Sequence, residues 1–177
     1  MIKILCFLTT ALTLAVGCDP SDYQVPQYEK LADKITDKIG KKLEEKKHLK
    51  LVGTGGQMMD DIQMMGMSFF YYHEVSLEES RELLVYAIRK YLKAINANEQ
   101  IRPYLHEYPF TDKNVEIMIW FYNPDRSNLP SDKIYHASII GGKMNYYIEG
   151  KNKYSRISIQ TESYEEALKA VTTRKKQ

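Results

Sequence analysis

The sequence predicts an α+β domain, an antiparallel sheet of about five to six strands with helices packed on one face. Three observations carry this reading. Serine capping boxes at Ser76 and Ser163 each open a helical stretch. Short alternating or aromatic runs bounded by glycine, proline and asparagine fill most of the remainder. In the second half these runs follow one another with no helix between them, which argues against a parallel doubly wound sheet.

Taken in order, residues 28–43 read as a helix, because Leu31, Ile35, Ile39 and Leu43 recur every four residues, with Tyr28 and Ala32 on the same arc. Lys34, Lys38 and Lys41 form one flank, and Asp33, Asp37 and Glu44 another. Lys46 interrupts the apolar arc, so this helix is expected to fray over 44–47. Residues 49–59 read as a strand weakened by Gly53, Gly55 and Gly56. Asp60-Asp61 makes a turn, and 62–73 completes a hairpin as a long aromatic strand. In Ser76-Leu77-Glu78-Glu79 the serine accepts from the backbone three residues on while Glu79 reaches back. The helix so opened carries Leu84, Ala87, Ile88, Tyr91, Leu92 and Ile95 at helical spacing and stops at 96–98.

Residues 100–111 are irregular, with Pro103 and Pro109. Val115, Ile117, Ile119 and Phe121 alternate as a strand, and 123–132 is a polar loop. Three more strands, 134–140, 144–149 and 154–161, are joined by tight turns at Gly141-Gly142 and 150–153, a meander. Ser163-Tyr164-Glu165-Glu166 starts a short last helix through Val171, and 172–177 is a basic tail. A single domain is thus expected over 28–171.

Composition narrows the function classes. The 25 basic and 23 acidic residues nearly balance, so no global field favours nucleic acid, and no nucleic-acid partner is expected. Tyrosine supplies 14 residues, against 5 phenylalanines and 1 tryptophan. Its ring packs like hydrocarbon while its hydroxyl needs a partner, which suits half-buried sheet faces and binding surfaces.

The amino terminus gives an address. Lys3 supplies a positive charge, and 4–16 is a run of 13 apolar residues and threonines. That run is too short to span ~30 Å of hydrocarbon but fits a signal-peptide core. Leu14-Ala15-Val16-Gly17-Cys18 resembles a lipobox, the recognition site of lipoprotein signal peptidase, with Ala15 where leucine is usual. The resemblance implies a bacterial lipoprotein precursor: 1–17 are removed, Cys18 takes diacylglycerol through a thioether, and 18–27 form a tether. It also implies a lipid-anchored, periplasm-facing protein, with Asp19 favouring the inner membrane under enteric-type sorting. The tether would keep the first helix near the bilayer, where Lys34, Lys38 and Lys41 can face anionic headgroups. Ala15-Val16-Gly17 also satisfies the ordinary peptidase, whose cut would free a soluble protein with a thiol at Cys18. Cys6 leaves with the signal in either case, so the mature chain has no internal disulfide.

Candidate chemistry is sparse. Gly53-Thr54-Gly55-Gly56 lacks the third glycine of a dinucleotide fingerprint, since Met58 stands there, and a bulged strand explains it better. Met58, Met59, Met64, Met65 and Met67 offer soft thioether ligands for cuprous copper, with His73 at hand. Strand alternation, however, sends neighbouring methionines to opposite faces. His73-Glu74 and His106-Glu107 pair an imidazole with a carboxylate in sequence, but adjacent strand residues do not face each other. No catalytic residue, metal ligand or cofactor is assigned.

The most unusual passage is Ile101-Arg102-Pro103-Tyr104-Leu105-His106-Glu107-Tyr108-Pro109-Phe110. It resembles a stretch of uncharacterised exported bacterial proteins, the likeness extending over 76–121. Two prolines hold Arg102, Tyr104, His106 and Tyr108 at low entropic cost, and these four form the candidate binding surface. The competing reading has the segment cover one edge of the sheet with rings. The expected function is a membrane-tethered binding or scaffolding module with an envelope protein as partner. Copper handling and hydrolysis are the alternatives, and an exposed aromatic patch, bound copper or a His–carboxylate cleft respectively would discriminate the three.

Overall fold

The computed structural model describes residues 24–152 and 155–174. The expectations placed on 1–17, Cys18 and Asp19 therefore lie outside the described residues.

The apolar arc of the first helix produces α1 (Gln27–Lys47), which buries Leu31, Ala32, Ile35, Ile39 and Leu43. It does not fray at 44–47. His48 takes the left-handed conformation (φ 58°) and donates its N–H to the Glu44 carbonyl, closing the last turn, while Leu49 folds back into the core. The glycine-rich segment is β1 (Lys50–Gln57), and its register slips between Leu51 and Gly53. A Cβ on Gly56 would stand 2.9 Å from the Met64 carbonyl oxygen of the next strand, which accounts for glycine there. The hairpin partner is β2 (Met64–Tyr71).

The box at Ser76 forms as expected. The Glu79 N–H donates to Ser76 Oγ and the Ser76 N–H donates to Glu79 Oε2, opening α2 (Leu77–Asn96). After it come β3 (Val115–Phe121), β4 (Ile134–Ile140), β5 (Lys143–Glu149) and β6 (Arg156–Ser163). Gly141 and Gly142 have φ of 56° and 80°, the left-handed turn that returns β4 into β5. Ser163 and Glu166 exchange the same reciprocal bonds at the start of α3 (Tyr164–Arg174), which continues three residues past Val171. There the Arg174 guanidinium lies 3.4 Å from Glu82 of α2.

The fold is α+β, with one six-stranded sheet in the order β1-β2-β3-β4-β5-β6. It is mostly antiparallel, but β2 and β3 run parallel. Parallel neighbours need a crossover, and α2 is that crossover. α1 packs on β1 and β2, α2 on β3 and β4, and α3 on β5 and β6, with α2 touching both other helices. All three helices therefore share one face of the sheet. That face holds the single core: Met65, Met67 and Phe69 of β2, Val115, Ile117, Ile119 and Phe121 of β3, and Met144 and Tyr146 of β5.

Two polar ties cross this core. The Tyr91 hydroxyl lies 2.7 Å from Thr36 Oγ1 between α2 and α1, and burial pushes the tyrosine pKa up. Glu162 of β6 accepts from both Arg81 Nε of α2 and the Tyr146 hydroxyl of β5, each at 2.7 Å. Removing one partner from so enclosed a carboxylate costs far more than a surface pair does. Among the described residues, no helix is long and apolar enough to cross a membrane.

Ser76→Ala removes one side of the α2 capping box and should lower unfolding stability in urea by about 1 kcal/mol. An unchanged urea midpoint would contradict the role given to that cap.

Candidate functional site: the uncovered face of the sheet

Alternation along each strand sends every second side chain away from the helices. In a sheet roofed on one side, those positions usually carry polar residues. Here many carry rings. Register partners Lys50, Phe70, Trp120, His136, Tyr147 and Ser158 form one row running across all six strands. The next row holds Ser68, Met118, Ser138, Asn145 and Thr161.

His136 is the centre of the first row. Its ring stacks on Trp120 at 4.2 Å between centroids (29° between planes) and on Tyr147 at 5.4 Å (17°). The Arg156 guanidinium lies 4.7 Å from the Tyr147 ring, so a cation, a phenol, an imidazole and an indole follow one another across the strands. A register slip between Ile134 and His136 brings the Tyr135 ring into the same group, 6.0 Å from Trp120 and 6.1 Å from His136. A second group lies at the carboxyl ends of the parallel strands. Phe70 meets Tyr122 edge-on at 5.1 Å, Tyr72 closes the triangle, and Arg126 stands over Tyr72 at 5.7 Å.

Although none of the described helices covers this face, His136 is only 2% exposed and Ser138 only 1%. Among the described residues, neither ring nitrogen of His136 nor the Ser138 hydroxyl has a hydrogen-bond partner. Burial, with the nearby Arg156 charge, pushes the His136 pKa down to about 4, so the imidazole is neutral near pH 7. A buried polar group without a partner costs ~1–3 kcal/mol, so each such group calls for an explanation, as does Asp61 Oδ1 beside His106.

The four residues chosen from sequence lie elsewhere. They flank the amino end of β2, where the Ile62 N–H donates to the Tyr104 carbonyl and the His106 N–H donates to the Ile62 carbonyl. Tyr104 is half-buried, 6.0 Å from the Tyr28 ring. Arg102 stands over the Tyr108 ring at 4.5 Å, and the Tyr108 hydroxyl donates to the Asn96 carbonyl at the end of α2. His106 Nδ1 is 2.6 Å from Asp61 Oδ2, a contact that raises the histidine pKa. The Asn96 side chain grips Phe110 through both the backbone N–H and the carbonyl. Arg102, His106 and Tyr108 remain exposed. The segment thus clasps the sheet end to α2, while its outer side chains face solvent.

The remaining candidates do not converge. Met65 and Met67 are in the core, Met58 and Met64 are half-buried, and Met59 is 88% exposed. His73 is exposed beside the Tyr71 ring, and Glu74 pairs with Lys133 at 2.7 Å. Glu107 accepts from the Asn114 side-chain amide. Among the described residues, no three histidine, cysteine or acidic side chains are grouped so as to hold a metal ion. Comparisons with protein families, with curated proteins and with solved structures find no match to this chain.

The environment of His136 makes stability depend on pH in a definite direction. In the unfolded chain histidine titrates near 6.5, whereas folded His136 takes its proton only near pH 4. Between these values the unfolded state binds the extra proton, so stability should fall as pH drops from about 6.5 to about 4, by on the order of 3 kcal/mol. His106, raised by Asp61, acts in the opposite direction and is common to both chains compared. Urea unfolding of His136→Phe should show that acid leg flattened, and an unchanged leg would place the histidine in contact with water.

Proposed function

We propose that the protein is a membrane-tethered binding module of the bacterial cell envelope, anchored through lipid on Cys18. Its binding surface is the uncovered aromatic face of the sheet. The observation that carries the reading is the stacked row Trp120–His136–Tyr147, with the orphaned ring nitrogens of His136 within it and the orphaned Ser138 hydroxyl in the next row. Tryptophan, tyrosine and arginine are the side chains that most often dominate binding energy, and all three occur together here, with Arg126 and Arg156 on either side. Strand-borne rings held by cross-strand stacking lose little freedom on binding, which favours affinity.

The partner is an envelope protein. A face of Trp120, Tyr135, Tyr147, Phe70 and Tyr122 suits an apolar or aromatic patch on that partner, with a carboxylate opposite Arg126 or Arg156. Asp19 after the anchor favours the inner membrane under enteric-type sorting, with the module facing the periplasm. Neither the scattered methionines nor the exposed His106–Asp61 pair adds support for copper handling or hydrolysis.

The test is photo-crosslinking in cells that make the whole chain, with p-benzoylphenylalanine in place of Tyr135 or of Tyr108. Position 135 should give a discrete envelope-protein adduct in the membrane fraction, lost when Trp120 and Tyr147 are both alanine. The same chain with Cys18→Ser should appear in the soluble fraction. Adducts from position 108 alone would move the binding surface to the Arg102 segment.

A further inference from the structure

The helical side of the molecule carries a second surface. Lys34, Lys38, Lys42 and Lys46 of α1 line a groove of about 1070 Å³ between α1 and α2, faced by Lys90 and Lys93 of α2. The four lysines of α1 follow one another at i, i+4 spacing over ~18 Å of helix. Lys42, rather than Lys41, continues the row begun by Lys34 and Lys38, because a step of four keeps residues on one face. Ile35, Ile39, Leu43, Tyr86 and Ala94 form the floor.

Like charges four apart on a helix repel one another, and neighbours ~6 Å apart lie inside the ~8 Å Debye length at physiological salt. Among the described residues no ion pair reaches any of the six ammonium groups, although Glu45 and Glu99 also border the groove. Six ammonium groups against two bordering carboxylates leave the groove with an excess of positive charge, which an external surface of opposite charge relieves. Half-buried Tyr86 lies between the helices with Lys47 and Lys90 over its ring at 5.1 and 5.3 Å. A tyrosine with apolar ring and polar tip, flanked by lysines whose stems can lie along apolar surface, is the chemistry of a membrane–water boundary.

We propose that this lysine groove docks on the anionic phosphate headgroups of the bilayer, seating α1 and α2 against the membrane and turning the uncovered sheet face away from it. The proposal builds on the membrane-tethered reading, since a lipid on Cys18 would hold α1 close to the leaflet: the eight residues 19–26 before α1 can span at most ~30 Å. The groove's affinity for headgroups is nevertheless its own and needs no acyl chain.

The two claims separate in one experiment. The chain from residue 18 onward, which contains every described residue, is made with Cys18→Ser so that no lipid is attached. It is sedimented with vesicles of phosphatidylcholine alone or of equal parts phosphatidylcholine and phosphatidylglycerol. Binding should be about tenfold or more tighter to the anionic vesicles and should weaken as salt rises. Lys38→Glu, Lys42→Glu and Lys90→Glu together should return it to the phosphatidylcholine level. The control triple Lys41→Glu, Lys113→Glu and Lys143→Glu changes net charge equally outside the groove and should keep most of the binding. Circular dichroism confirms that both triples fold. Equal binding to the two vesicles, or equal loss in the two triples, overturns the groove proposal. Neither outcome bears on the anchor, which is read from where the Cys18→Ser chain fractionates in cells.

Discussion

All three helices lie on one side of the sheet, and the character of the other side follows from that constraint. With strand order β1 to β6 and a single crossover through α2, none of the described helices roofs the second face. The roofed face closes as an ordinary hydrophobic core, tied across by Tyr91–Thr36 and by Glu162 between Arg81 and Tyr146. The uncovered face has to stay ordered by other means, and it does so with cross-strand rings. Trp120, His136 and Tyr147 occupy register positions on three adjacent antiparallel strands, and each ring shields its neighbour. This shielding buries a polar imidazole on a surface that should have been wet. The same cluster is therefore both a packing solution and a source of unsatisfied hydrogen-bonding capacity.

Much of the fold was legible in the sequence because helices announce themselves locally. The four-residue recurrence from Leu31 to Leu43 marked α1, and the capping boxes at Ser76 and Ser163 marked the starts of α2 and α3. The parallel pairing of β2 with β3 was not read, although the order strand, helix, strand around Ser76 was its signal. Antiparallel meanders on either side of that unit outweighed it. The persistence of α1 through 44–47 depends on the left-handed turn at His48 and the return of Leu49 to the core, which no periodicity reveals.

The site was only partly legible. Abundant tyrosine pointed to half-buried sheet faces, and Met118 and Trp120 of β3, with Tyr122 just beyond it, were a usable sign that its second face is only partly polar despite Glu116. The stack around His136 was beyond reach, because it needs the exact register of β3, β4 and β5 and the slip at Tyr135. The passage from Arg102 to Tyr108 drew attention through its prolines, and those residues do hold a defined conformation. They spend much of it internally: Tyr104 on Tyr28, His106 on Asp61, Arg102 on Tyr108 and Tyr108 on the end of α2.

The lysine groove and the aromatic face lie on opposite sides of the molecule, since α1 and α2 separate the groove from the sheet. Trp120 is the single tryptophan of the chain and sits within the aromatic face, so one label reports on that surface alone. The most direct test replaces it with fluorotryptophan and follows its fluorine resonance as solubilised envelope from cells lacking this protein is added. The resonance should shift and lose its sensitivity to exchange of water for heavy water, in proportion to the chain captured. Capture of the chain with the resonance unshifted and still solvent-sensitive would contradict a binding role for this face.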